Sequence, residues 1–479
     1  MIKPFLLLAL IVLTLSVRRH EFKKCSDSNF CARNRHLAKN HVHTKTEGLR
    51  FDIDYEIKQG SISRIPGGVS FTIGSVFEDL PFLKSEIIMY TSGVLHTYID
   101  EIQPLHPRYR TPREDVLNSQ VLDKVADTSI RIEKDKVIWT LGDYRYELFS
   151  KPFAINGYFA GDITIKTNGE SLMNFERYRS LDQDLRPSGQ VKSADAPIKI
   201  FDAAGVYFEK GENLEYPDGL WKEKFRDWTD DKKKGPSSVA MDFGFPDASH
   251  VYGIPEHADS LALQDTKDSD HPYRLYNLDV FEFELDERMS LYGAVPFMLS
   301  RTSKAKSGGV FWLNPSETWI DISTVPNGKF SHWMSESGVI EFFLFQEESP
   351  IQIIQKYTLL TGPPQLPPLF SIAYHQCRWN YNSQDDLLEV SKNYEKHNIP
   401  LDVLWLDIEH TPERKYFNWD YTKFPSPLEM LKTLNSTSRK LVTIVDPHIK
   451  RTDSFSVHND CKQGWYCSFI TCSQSSGIY

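Results

Sequence analysis

The side chains with the clearest chemical potential sit at the ends of short apolar runs. Residues 401–410 read LDVLWLDIEH, where an unbroken apolar stretch leads into Asp407, Glu409 and His410. The run from Leu369 leads into YHQCRWNY (374–381), which contains Trp379, and KLVTIVDPHIK (440–450) ends its strand at Asp446, before Pro447. An ionised carboxylate accepts paired hydrogen bonds from hydroxyls, and an indole offers a flat apolar platform. Trp379, Asp407 and Asp446 therefore have the makings of a sugar pocket. Each also has an ordinary account: Trp379 as core, Asp407 as the cap of a following helix, Asp446 as a turn residue. The pair Asp407 and Glu409 is a decoy. Two carboxyls that act on one bond as nucleophile and acid/base must stand about 5 Å apart on either side of it. Two residues apart on one extended segment, these side chains start on the same face and do not easily flank a glycosidic bond.

These residues need elements that bring them together. A strand apolar on both faces belongs to a parallel sheet covered by helices. Its carboxyl end is where barrel and open-sheet enzymes place their chemistry. Between the first two strands the pattern predicts a helix. Ser383 caps it with Asp386 three residues on, Leu387, Leu388 and Tyr394 supply apolar contacts, and Lys392 and Lys396 lie towards its end. A shorter helix is expected over 427–434. The result is strand–helix–strand–helix–strand in about 80 residues, the spacing of successive βα units. In that register Trp379, Asp407 and Asp446 follow three successive strands and reach one face.

The rest of the chain sets the context. At 479 residues it holds two or three domains, and a formal charge of −10 without a basic stripe argues against a nucleic-acid surface. Aromatic residues make up 13%, including ten Trp, which serves a core or a sugar site equally well. Residues 1–16 read as a signal peptide: Lys3, an apolar run over 5–15, and the small pair Thr14 and Ser16. No later stretch is long enough to span a membrane. Short strands predict a β region over 17–238, with a charged insert over about 176–238 read as a solvated surface excursion. A second part of the β-sandwich, a further layer including DVFEFELD, is expected over 239–348. A helix and Pro-rich linker follow over 349–368, the βα units over 369–455, and a Cys-rich tail over 456–479. Cys25 and Cys31 fit a local disulfide in an oxidising compartment. Cys461, Cys467 and Cys472 lack metal-ligand spacing, so no metal site is read there. Asn435-Ser436-Thr437 is a glycosylation sequon.

Several long stretches carry a family resemblance. HVYGIPEHAD (250–259), YRLYNLDVFEFEL (273–285), GGVFWLNPSETWIDIS (308–323), PPLFSIAYHQCRWNY (367–381), LDVLWLDIEH and LVTIVDPHIK resemble glycoside hydrolase family 31. FKKCSDSNFCARNR (22–35) and IDEIQPLHPRYRTP (99–112) extend the likeness, which runs over about 21–460. Within the family they look most like the branch that trims glucose from N-glycans in the endoplasmic reticulum.

The resemblance implies a galactose-mutarotase-like β-sandwich followed by the first three βα units of a (β/α)8 TIM barrel. It also implies removal of α-1,3-linked glucose with retention of configuration, no metal or organic cofactor, and an endoplasmic-reticulum location through a regulatory beta subunit. Residue by residue, Asp407 matches the carboxylate that binds the terminal glucose, and Trp379 an aromatic wall of the same subsite. Asp279 and Phe281 match a sandwich loop that reaches over the barrel mouth. Leu404 and Ile444 match pocket-lining positions, where packing is an equally good account; Glu409 and His448 lean towards structural roles. The family's nucleophile lies in a W-x-D-M-N-E motif on a later strand, with the acid beyond it, and neither occurs in these 479 residues. From Cys461 the text CKQGWYCSFITCSQSSGIY departs from the family, as read-through or a shifted frame would make it, and SGIY is not a retrieval signal. The expectation is a truncated chain without glycosidase activity by itself, its three unclosed strands leaving an unpaired edge and uncovered apolar faces. The rival reading is a non-catalytic form that binds carbohydrate or a partner.

Overall fold

The computed structural model describes residues 17–46, 50–51, 54–75, 82–178, 200–201, 207–208, 221–280 and 283–463. Residues 1–16, read above as a signal peptide, lie outside the described residues, as do Phe281, Cys467 and Cys472. The chain divides into two compact units, Met1–Pro363 and Pro364–Tyr479. Among the described residues no helix is long and apolar enough to cross a membrane.

The first unit is built on two large antiparallel sheets, of ten and nine strands among the described residues. The expectation of successive layers is corrected here. Strand Val239–Pro246 lies between Asp162–Thr167 and Gly328–Ser335 in the larger sheet, while Ile340–Glu347 pairs with Leu95–Glu101 in the smaller. Both stretches thus thread both sheets. Each sheet has one face to bury, and alternating residues supply it, as in Leu83–Met89, whose every second side chain is inside. The shared core is aromatic: Phe243 meets Trp312, Trp333 and Phe342, and Trp139 is fully buried beside them in the same cluster. Much of the tryptophan content is therefore structural.

Two further expectations change. The segment DVFEFELD is no strand where it is described: 279–280 and 283–286 are irregular, and Phe283 and Leu285 are exposed. The charged insert is more than a solvated loop. Strands Lys222–Phe225 and Trp228–Asp231 form a hairpin, and Glu223, only 4% exposed, bonds Lys23 and the Asn29 amide. Lys232 reaches Glu223 and, at 2.9 Å, Glu336. Cys25 and Cys31 are joined in a disulfide at the start of α1 (Asn29–Thr46), packed with Phe30, Ala240, Trp319 and Met334. Helix α2 (Pro350–Thr361) ends the unit and packs Ile353 and Leu360 inward.

The second unit holds β1 (His375–Gln376), α3 (Gln384–Lys396), β2 (Val403–Leu406), α4 (Pro427–Ser436) and β3 (Lys440–Thr443). The three strands form a parallel sheet in the order β1-β2-β3, with His375 opposite Val403 and Leu406 opposite Thr443. Ser383 caps α3 by accepting the Asp386 amide at 3.1 Å, and Pro427 begins α4, where a missing N–H costs nothing. Leu387 of α3 and Met430 and Leu434 of α4 bury one face of the sheet. The tail set apart at 456 starts as a helix, Ser456–Lys462, whose Lys462 pairs with Asp453.

Candidate functional site

The carboxyl ends of β1, β2 and β3 carry Trp379, Asp407 and Asp446. Trp379 follows Gln376 by three residues, and Asp407 follows Leu404, the partner of Gln376, by the same number. Trp379 is 68% exposed, so its indole is not core. Ile444 continues the ladder by bonding its amide to the Leu406 carbonyl at 2.9 Å, which sets it beside Asp407. Strand alternation places Trp405 and Asp407 on one side of the sheet. Below Asp407 on that side, the Trp405 indole N–H donates to His375 Nδ1 at 2.9 Å, while His375 Nε2 lies 3.0 Å from the Phe370 carbonyl. With Nδ1 accepting, Nε2 is the ring nitrogen that carries the hydrogen towards the Phe370 carbonyl. The floor of the site is thus a polar pair that satisfies itself.

Asp407 does cap, as its ordinary account had it. Its Oδ1 accepts the Ile408 amide at 2.7 Å and starts the turn Ile408–His410. That uses one oxygen, and Oδ2 takes no hydrogen bond from the described residues. Capping and hydroxyl binding are therefore compatible in one carboxylate. Asp446 Oδ2 accepts the hydroxyl of Tyr416, which is buried. Burial first, and then the bond to Asp446 with the Asp407 charge nearby, pushes the Tyr416 phenol well above its usual range. Both carboxylates thus act on one phenol, which brings Asp407 and Asp446 into one locality.

Other candidates separate from this group. Glu409 turns to Lys423 at 3.5 Å, so Asp407 and Glu409 do not form a catalytic pair. His410 is buried, bonds the Asp407 carbonyl through Nδ1 and packs edge-on against Trp419. His448 packs edge-on against Tyr416. Leu404 requires a correction. It is fully buried with Leu387, Met430 and Leu434, on the helix-covered side. Three residues from Asp407 on an extended strand, it must face the other way. In the first unit Asp279 is exposed and accepts the Tyr292 hydroxyl at 2.8 Å. Asn435 lies exposed near the end of α4. The sequence reading missed Tyr416. Its signal, an aromatic residue inside the charged stretch PERKYFNWD, is faint.

Comparison with known proteins places this geometry. Residues 82–321 match the model of the glycosyl hydrolase 31 N-terminal galactose mutarotase-like domain, and residues 364–475 match that of the glycosyl hydrolases family 31 TIM-barrel domain. The second match extends through most of the Cys-rich tail. The chain is 38% identical over 475 residues to neutral alpha-glucosidase AB of Mus musculus, covering 94% of this chain and 48% of that protein. It is 36% identical to the protein of the same name from Dictyostelium discoideum, covering 94% and 49%. The Tris-bound crystal structure of a glucosidase II alpha subunit superimposes with a TM-score of 0.79 at 34% identity, over 94% of this chain and 48% of that one. The chain spans about half the length of the curated relatives it matches. On two domain models in their family order, the first matching half of the sequence, the chain belongs to glycoside hydrolase family 31.

Proposed function

We propose that this chain carries the terminal-glucose recognition part of a retaining α-glucosidase of the glucosidase II alpha type. Its substrate is α-1,3-linked glucose on N-glycans in the endoplasmic reticulum lumen. The observation that carries the reading is the grouping of the exposed Trp379 with Asp407 and Asp446 at the carboxyl ends of three parallel strands. Asp407 Oδ2 and Asp446 Oδ1 supply acceptors for sugar hydroxyls, Trp379 a wall, and Ile444 an apolar neighbour. A glucosidase II heterodimer of catalytic subunit with the binding domain of a regulatory subunit is among the structural relatives, at a TM-score of 0.78. Pairing with such a subunit is the partner this reading assigns.

The 479-residue polypeptide is expected to bind a glucose-shaped ligand without hydrolysing a glycoside, since the W-x-D-M-N-E motif that carries the family's nucleophile does not occur in its sequence. The test is release of glucose from a monoglucosylated N-glycan by purified chain, with Asp407→Ala as control. No release is predicted; turnover abolished in the control would refute the inactivity and keep the site. A second reading, a binding protein without catalysis, draws on the well-filled core of the first unit. Capture of a regulatory subunit by residues 17–363 favours it, and failure of that fragment to bind counts against it.

A further inference from the structure

Tyr416 stands out as a buried polar group that no role described so far uses. It lies in a polar loop, yet its side chain is almost wholly inside. The backbone around it is held in an uncommon conformation: Glu413, Arg414 and Phe417 all have positive φ, at 51°, 59° and 67°. For side chains with a Cβ such conformations cost free energy, and they cluster where surrounding structure fixes a functional group. Two contacts lock the loop. Lys450 Nζ bonds the Glu413 carbonyl at 2.8 Å, and Lys415 pairs with the Glu413 carboxylate at 3.0 Å. The phenol so held donates to Asp446 Oδ2. His448 closes the ring edge at 5.5 Å.

We infer that Tyr416 is a positioning residue of the sugar site, orienting the Asp446 carboxylate so that Oδ1 faces the ligand hydroxyls while Oδ2 stays engaged. The inference rests on the reading of Asp407 and Asp446 as sugar-binding acids. A carboxylate on a two-bond side chain rotates freely unless one oxygen is tied, and a bond to an ionised acceptor is among the stronger neutral-donor bonds. Tying Oδ2 from a buried phenol costs the ligand nothing at the moment of binding. Phenylalanine keeps the ring and its packing and removes only this tether.

The experiment is a double-mutant cycle on the full chain, read as the Kd for deoxynojirimycin, an iminosugar of glucose shape, by calorimetry. Tyr416→Phe is expected to weaken binding about tenfold with an unfolding midpoint close to that of the parent. In an Asp446→Asn background the same change is expected to have little further effect, because the group it positions is already altered. A purely structural tyrosine would weaken binding equally in both backgrounds, and that result overturns the inference. So does an unchanged Kd in Tyr416→Phe when Asp407→Ala abolishes binding, an outcome that leaves the sugar site standing. Equal affinity in the parent and Asp407→Ala, or none in either, removes the site itself and the inference with it.

Discussion

Asp242 in the sandwich and Asp407 in the parallel-sheet unit are both acids, yet they are treated in opposite ways. Asp242 is fully buried, and its two oxygens accept the Leu172 and Glu170 amides at 2.9 and 3.0 Å. Glu176 is likewise saturated: Arg33 reaches both oxygens, and the Ser238 amide and hydroxyl bond Oε2. Asp407 is half-buried and spends one oxygen on a cap, and Asp446 spends one on a phenol. A buried carboxylate with both oxygens engaged and no access to solvent locks chain segments far apart in sequence and offers little to a ligand. A half-engaged carboxylate at a strand end, next to an exposed indole, keeps acceptor capacity for hydroxyls. The state of the second oxygen separates scaffold from site more sharply than residue type does.

Perturbing the scaffold charges should give the largest effect. Arg108 is buried, donates to Glu101 and to the Ser237, Gly338 and Glu176 carbonyls, and sits over the Phe175 ring at 4.3 Å from its centroid. Arg108→Ala leaves those acceptors buried without a donor, and urea unfolding of the first unit should show a loss of about 3–5 kcal/mol. A loss near zero would mean that saturation does not mark the scaffold.

A pH-dependent effect comes next. Burial holds His332 neutral, with its pKa pushed down to about 3. In the unfolded chain the ring takes a proton near pH 6.5, so the unfolded state binds the extra proton first. His332 therefore contributes fully above that pH, and stability falls progressively as pH drops from about 6.5 towards about 3, by on the order of a few kcal/mol. Unfolding midpoints at pH 7.5, 6 and 4.5 should decline in that order, and His332→Phe should flatten the slope.

The smallest stability effect should come from the site. Trp379→Ala removes an indole that is mostly in solvent, so unfolding free energy should stay within about 0.5 kcal/mol. Affinity for a glucose-shaped ligand should still fall roughly tenfold, about 1.4 kcal/mol. A destabilised but fully binding variant would return Trp379 to the scaffold.

What the sequence disclosed follows the same division. Strand β2 was legible because Val403–Leu406 is an unbroken and mostly buried apolar run, and α3 because Ser383 and Asp386 stand three apart at its start. Sheet pairing was not, because Val239–Pro246 meets Asp162–Thr167 across more than seventy residues, and no local pattern encodes that choice. Glu223 and Lys232 looked solvated for the same reason: Lys23 and Glu336, which neutralise them, are far away in sequence. The placing of Leu404 in the pocket was avoidable, since strand parity with Asp407 already sends it to the helix side. Tyr416 was hidden because a buried side chain in a charged loop is set by positive-φ backbone, which its composition does not announce.

Sugar binding at this site turns on Asp407 keeping one oxygen for a hydroxyl. Calorimetric titration of the full chain and of Asp407→Ala with deoxynojirimycin, paired with their unfolding curves, tests it most directly. The account predicts a loss of affinity of about a hundredfold or more for a stability cost of about 1 kcal/mol, that of the lost cap. Unchanged affinity with the same stability cost would leave Asp407 a cap and nothing else, and would contradict the account.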